Sequence, residues 1–208
     1  MQNISALFEH RPPIVAVITI NDPHLALPLA EALWAGGITI LEITLRTAHG
    51  LGAIEMLRKK LPQLCVGAGT VTTASQFAQV KNAGAQFAVS PGITQGLLAA
   101  AKEHHIPFLP GAITPSEILL GIEAGLQYLK FFPAESSGGL DYLNNLASPF
   151  PNIHFCPTGG INEFNFKDYL EASNVFCVGT TWLTPHSLLN EKNWAAIKQR
   201  AEMLSGTQ

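Results

Sequence analysis

The stretch IVAVITINDPHLALPLAEALWAGGITILEITLR, residues 14–46, decides the fold. It opens on a β-branched apolar run, Ile14–Ile20, and closes on another, Ile40–Arg46. Between them, Pro23–Ala35 carries the apolar spacing of a helix, and Gly36-Gly37 stands where that helix should stop. Strand, helix and strand in this order form the unit of a parallel sheet. The unit then repeats. Strand-like runs follow at Cys65–Val71, Phe87–Pro91, Pro107–Gly111, Tyr128–Pro133, Ile153–Thr158 and Val175–Gly179, eight in all. Helical patterns lie between them, as at Leu51–Lys60, Ser75–Ala83, Gln95–Glu103 and Pro115–Ala124, with Gly84 and Gly125 as stop signals.

Eight is the strand number that closes such a sheet. The expected fold is therefore α/β, a (β/α)8 TIM barrel with an extra N-terminal helix over the first dozen residues. Leu188–Leu204 is expected to be a closing helix, and residues 1–208 to form a single domain. An open doubly wound sheet is the alternative. No Gly-x-Gly-x-x-Gly follows the first strand, which counts against a dinucleotide-binding version.

Composition narrows the partners. Apolar residues make up 47% and charged residues 13%, a balance suited to buried strands and a covered subunit surface. The net charge is −3 with no long basic run, which argues against nucleic acid and against an anionic membrane. No unbroken apolar stretch reaches the roughly 18 residues of a membrane span. The N-terminus lacks a charged-then-apolar signal pattern, so the expected location is cytoplasmic. Cys65, Cys156 and Cys177 form no CxxC pair and read as small hydrophobes in a reducing compartment. The histidines show no HExxH and no compact metal spacing, so no metal is expected; His104-His105 read as solvated.

The chemistry concentrates on two strands. Lys130 lies within the apolar run Gln127–Pro133, and lysine is rarely buried unless it is paired or functional. Burial disfavours the ammonium form, and a neutral amine is what attacks a ketone. A lysine snorkelling from a strand edge is the competing reading. In the second strand, Leu41, Ile43 and Leu45 share one face, and Glu42, Thr44 and Arg46 the other. A barrel interior is normally filled by branched apolar side chains, so an inward Glu-Thr-Arg series is costly unless a site uses it. A half-exposed edge strand would also account for it. By the same parity Tyr128, Lys130 and Phe132 share a face, which makes Glu42 and Arg46 the charged neighbours of Lys130. Several strands end in glycines and hydroxyls: Gly67 to Thr70, Ser90-Pro91-Gly92, Thr158-Gly159-Gly160, and Gly179-Thr180-Thr181. Barrel sites form at these ends, and phosphate is commonly held after strands seven and eight. Bare N–H groups at Gly159-Gly160 and hydroxyls at Thr180-Thr181 suit that task.

At these residues the chain resembles the 2-keto-3-deoxy-6-phosphogluconate (KDPG) and 4-hydroxy-2-oxoglutarate (KHG) aldolases. The markers are GGITILEITLRT (36–47), VGAGTV (66–71), GAQFAVSPG (84–92), LKFFPAE (129–135) and FCPTGGI (155–161). The resemblance implies a homotrimeric barrel and a class I aldolase that uses no metal or cofactor and acts on a small 2-keto acid. It implies that Lys130 forms the Schiff base and that Glu42 is the general acid/base. Arg46 and Thr70 would hold the pyruvate carboxylate, Pro91 and Phe132 would line the pocket, and Thr158, Gly159 and Gly160 would lead to the distal phosphate. One departure stands out: many members carry Gly-Gly-Ser where this chain has Gly179-Thr180-Thr181. The added β-branched side chain puts phosphate affinity in doubt more than imine chemistry. A sister family acting on the phosphogalactonate epimer typically has asparagine in place of Arg46 and ranks lower. A sugar-phosphate isomerase and a non-catalytic keto-acid binder on the same fold are the remaining alternatives.

Overall fold

The computed structural model describes residues 4–206, and strands and helices alternate along them. The strands are β1 (Ile14–Ile18), β2 (Ile40–Thr44), β3 (Cys65–Gly69), β4 (Ala88–Val89), β5 (Phe108–Leu109), β6 (Tyr128–Phe131), β7 (His154–Pro157) and β8 (Val178–Thr180). Each of the eight expected runs therefore meets a strand, shorter than its apolar pattern; β8 alone is displaced, starting three residues later than the expected Val175–Gly179 and ending one residue beyond it. The helices are α1 (Ala26–Ala35), α2 (Gly50–Lys60), α3 (Ser75–Asn82), α4 (Gln95–Glu103) and α5 (Pro115–Glu123), followed by α6 (Gly139–Ala147), α7 (Phe166–Glu171), α8 (His186–Asn190) and α9 (Trp194–Ser205).

The expected closing helix is two helices. Asn193 caps α9 by accepting from the Ala196 N–H, and Lys192 has a left-handed φ of 52°. A side-chain N-cap starts a new helix rather than continuing an old one. At the N-terminus only Ile4–Leu7 are helical among the described residues, as a 3-10 turn. Residues 1–3 of the expected N-terminal helix lie outside the described residues.

The sheet is parallel throughout. Six strands run in the order β5-β4-β3-β2-β1-β8, and β6 pairs with β7 in a separate two-stranded ladder. Isolated bridges stand between the two sheets, Gly111 with Lys130 on one side, and Phe155 with Val175 and Thr158 with Gly179 on the other. Proline explains part of the break. Pro110 accepts from the Lys130 N–H at 2.8 Å but has no N–H to return, and Pro157 likewise has no N–H at the end of β7.

Strand parity divides the interior into two. The larger cluster joins Leu41, Ile43, Leu129, Phe131 and Val178 to helix residues such as Leu33, Ile54, Phe77 and Ile118. The smaller one joins Val15, Ile40, Cys65, Phe87, Val89, Leu109, Cys156 and Cys177 from the opposite strand faces. Ile4 belongs to this smaller cluster, and Phe8 packs on it with its ring 6.1 Å from Phe87 and 5.4 Å from Phe176. The N-terminal turn thus covers the end of the strands away from the site.

Helix α5 starts with a capping box. The Glu117 N–H donates to Thr114 Oγ1, and the Thr114 N–H donates to Glu117 Oε2 at 2.8 Å. Burial pushes the Glu117 carboxyl up, but backbone N–H bonds from Thr114 and Ile113 outweigh it and hold the group below the usual carboxylate range. A carboxyl lowered on folding stabilises above its unfolded pKa and loses that contribution as pH falls through the folded one. Thr114→Ala is expected to cost about 1 kcal/mol at neutral pH, read from the urea midpoint. Part of that difference should fade in acid, as Glu117 protonates.

All three cysteines are buried free thiols. Burial pushes the Cys65 thiol up to about 11. Burial and a hydrogen bond with Cys156 raise the Cys177 thiol well above its ordinary value. Thiolate is the reactive form, so native protein at neutral pH should react slowly with Ellman's reagent, and unfolded protein should release all three thiols quickly.

Candidate active site

Lys130 and Glu42 meet on the strand faces that carry the smaller cluster. Lys130 is 5% exposed and Glu42 is 3% exposed. Lys130 Nζ donates to Glu42 Oε1 at 3.1 Å and to Oε2 at 3.3 Å. The alternation of β2 and β6 produces this meeting. Leu41 and Ile43, and Leu129 and Phe131, face the helix side and turn Glu42 and Lys130 the other way. Neither the snorkelling lysine nor the half-exposed edge strand fits these exposures. Gly69 makes room for the pair, because a Cβ there would overlap the Glu42 carboxylate. The Phe132 ring lies 5.3 Å from the Lys130 ammonium, within cation–π range.

Arg46 and Thr70 follow the C-terminal ends of β2 and β3. Arg46 Nε donates to Thr70 Oγ1 at 3.2 Å. Thr70 has φ 58°, a left-handed conformation that a β-branched residue rarely adopts and that often accompanies function. Among the described residues the terminal nitrogens of Arg46 have no hydrogen bond or ion pair to protein. They are a planar fork of donors open to an anion.

The other predicted residues divide. Pro91 is exposed, and its carbonyl lies against Gly111, which bridges to Lys130. Thr158 is buried beside Gly179, and its hydroxyl donates to the Cys156 carbonyl at 3.3 Å. Gly159 (φ 100°) and Gly160 (φ 86°) turn the chain in conformations suited to glycine, with Gly160 packed on Glu135. Thr181 is exposed and lines a cleft with Arg46. Thr180 is the one whose side chain points elsewhere. It is 1% exposed, donates to the Ile161 carbonyl at 2.6 Å and accepts from the Trp182 N–H at 3.0 Å. Its φ is negative, so the backbone at this position does not call for glycine.

That cleft holds about 470 Å³ and reveals residues the motif reading did not single out: Val17, Thr19, Trp182, Thr184 and His186. Val17 and Thr19 had a signal, since they continue the Glu42-bearing face across the β1–β2 pairing, with Val17 opposite Glu42. Thr19 Oγ1 lies 2.8 Å from Thr44 Oγ1. His186 had none, because it enters from α8 and not from a strand.

A desolvated amine held on a carboxylate, with an open guanidinium at the ends of parallel strands, has the parts of a Schiff-base lyase acting on a keto acid. Over residues 6–200 the sequence matches the KDPG and KHG aldolase family. It is 50% identical over 185 residues to the 2-dehydro-3-deoxy-phosphogluconate aldolase of Dickeya dadantii (strain 3937), covering 89% of this chain and 87% of that one. It is 47% identical over 189 residues to the KHG/KDPG aldolase of Escherichia coli (strain K12), covering 91% and 89%. The crystal structure of the Legionella pneumophila KDPG aldolase, with pyruvate captured as a covalent carbinolamine, superimposes with TM-score 0.93 at 44% identity, covering 96% and 97%. The chain belongs to the KDPG and KHG aldolase family.

Proposed function

We propose that this protein is a class I aldolase that cleaves 2-dehydro-3-deoxy-6-phosphogluconate to pyruvate and glyceraldehyde 3-phosphate. It also cleaves 4-hydroxy-2-oxoglutarate to pyruvate and glyoxylate. The observation that carries this reading is the buried contact of Lys130 Nζ with Glu42 at 3.1 Å. The Lys130 amine attacks the C2 carbonyl, and the carbinolamine loses water to give a protonated imine. Glu42 takes the proton of the C4 hydroxyl, directly or through a water. The C3–C4 bond then breaks, its electron pair moves into the imine to form an enamine, and the aldehyde leaves. Protonation at C3 and hydrolysis release pyruvate and restore the amine. The imine is its own electron sink, so the sequence of steps calls for no cofactor.

Arg46 and Thr70 hold the substrate carboxylate, for which a fork of donors is suited. Pro91 and Phe132 wall the reacting carbons. Thr158, Gly159, Gly160, Gly179 and Thr181 lead toward the distal end. The hydroxyl of Thr180 is committed to Ile161 and Trp182, so Thr180 shapes the β8 end without reaching substrate. This removes the reason to expect weak phosphate binding from the Gly-to-Thr departure.

The two sheets form one closed eight-stranded barrel in this reading, with the bridges at Gly111–Lys130 and Thr158–Gly179 as its seams and the N-terminal segment as its lower cover. The chain is one cytoplasmic catalytic domain. It assembles as a homotrimer; the 13% charge and the 85% exposed Phe164 support covered surface. Coupled assay of pyruvate release tests the activity. Turnover of both substrates is expected, whereas a folded protein that isomerises a sugar phosphate and releases no pyruvate would overturn it.

A further inference from the structure

The loops after β6 and β7 are bound to each other close to the reacting amine. The Ala134 N–H donates to the Thr158 carbonyl at 2.8 Å, and the Glu135 N–H donates to the Gly159 carbonyl at 3.1 Å. The side chain of Glu135 lies against Gly160, where an added Cβ would overlap it. Tyr169, on α7 and 1% exposed, donates its hydroxyl to Glu135 Oε1 at 2.5 Å. Asn162 and Asn165 each donate a side-chain N–H to the Gly160 carbonyl at 3.1 Å. A hydroxyl on a carboxylate is a charge-assisted bond, stronger than a neutral one, so it can fix the side chain that backs the turn.

The turn in its place backs the Phe132 ring. A Cβ at Gly159 would stand 3.4 Å from that ring, and the ring lies 5.3 Å from Lys130 Nζ. A path of contacts thus runs from Tyr169 through Glu135 and Gly159-Gly160 to Phe132 and the amine. Attack on a ketone depends on near-attack geometry, and a small displacement remote from the reacting atoms lowers the rate. We propose that Glu135 and Tyr169 are a positioning pair that holds the Phe132 ring against Lys130 and so sets how readily the imine forms. This rests on the aldolase reading and concerns its imine end, which every 2-keto acid shares.

The test follows borohydride trapping of pyruvate, which has no distal group, together with kcat and KM on both substrates. Tyr169→Phe should slow trapping and lower kcat about fivefold on each substrate, with KM within about twofold. Glu135→Ala, which truncates an exposed residue and should leave the fold intact, is expected to match it. Glu135→Gln keeps an acceptor for the tyrosine and should recover most of the loss. Phe132→Leu removes the ring through which the pair acts. Adding Tyr169→Phe to it should therefore lower kcat by less than about twofold more, because residues on one path do not act additively. Losses that multiply in the double variant would overturn the proposal. So would unchanged trapping and kcat in folded Tyr169→Phe and Glu135→Ala. Absence of any adduct in the parent protein would remove the aldolase reading and this inference with it, whereas trapping in the parent leaves the variants to judge the pair alone.

Discussion

Lys130→Met is expected to abolish aldol cleavage, with kcat reduced at least about 10⁴-fold, because it removes the amine that forms the imine. Met matches the length of the lysine stem but cannot form an imine. The substitution also leaves Glu42 buried without its partner, and breaking a buried pair costs about 3–5 kcal/mol. Lys130→Arg is therefore the companion variant. It keeps a cation for Glu42, cannot act as the nucleophile, and should be equally inactive while circular dichroism shows a folded protein. Turnover near the parent level in folded Lys130→Arg would sink the imine mechanism and bring back the isomerase reading, which has no need of this lysine.

Glu42→Gln should separate imine formation from bond cleavage. The amide can still accept a hydrogen bond from Lys130, so the fold and pyruvate capture should persist. Proton transfer from the C4 hydroxyl should fail, lowering kcat by about 10²–10⁴-fold, the usual contribution of a positioned acid/base group. Glu42→Leu is the harsher case. It leaves the amine of Lys130, 5% exposed, without a carboxylate and should lower stability by about 3–5 kcal/mol in chemical denaturation. A Glu42→Gln enzyme with unchanged kcat would move the acid/base role to another group.

The alternation of Leu41, Ile43 and Leu45 against Glu42, Thr44 and Arg46 was enough to turn the carboxylate away from the helices, and the structure puts it there. The same parity in β6 brought Lys130 to it across 88 residues of sequence. Thr180 shows parity being overruled by a motif. Cys177 and Gly179 share the face of the smaller cluster, while Val178 and Thr180 share the helix side. The comparison with Gly-Gly-Ser drew attention to the position when its neighbour Val178 already assigned the face. The gaps in the ladder beside β6 and β7 were less legible, since an apolar run does not record where a proline interrupts hydrogen bonding. Asn193 did carry a helix-start signal inside the expected closing helix, but the apolar spacing around it masked the break. His186 joins the cleft from a five-residue helix, and only tertiary packing puts it near Arg46 and Thr181.

The claim at the centre of this account is that the Lys130 amine forms a covalent imine with a 2-keto acid. Borohydride reduction of the protein with pyruvate, followed by peptide mass mapping, tests it directly. A stable pyruvate-derived adduct on the peptide containing Lys130, absent from Lys130→Arg, is the expected result. No adduct in folded protein that binds pyruvate, or an adduct on a different lysine, would contradict it.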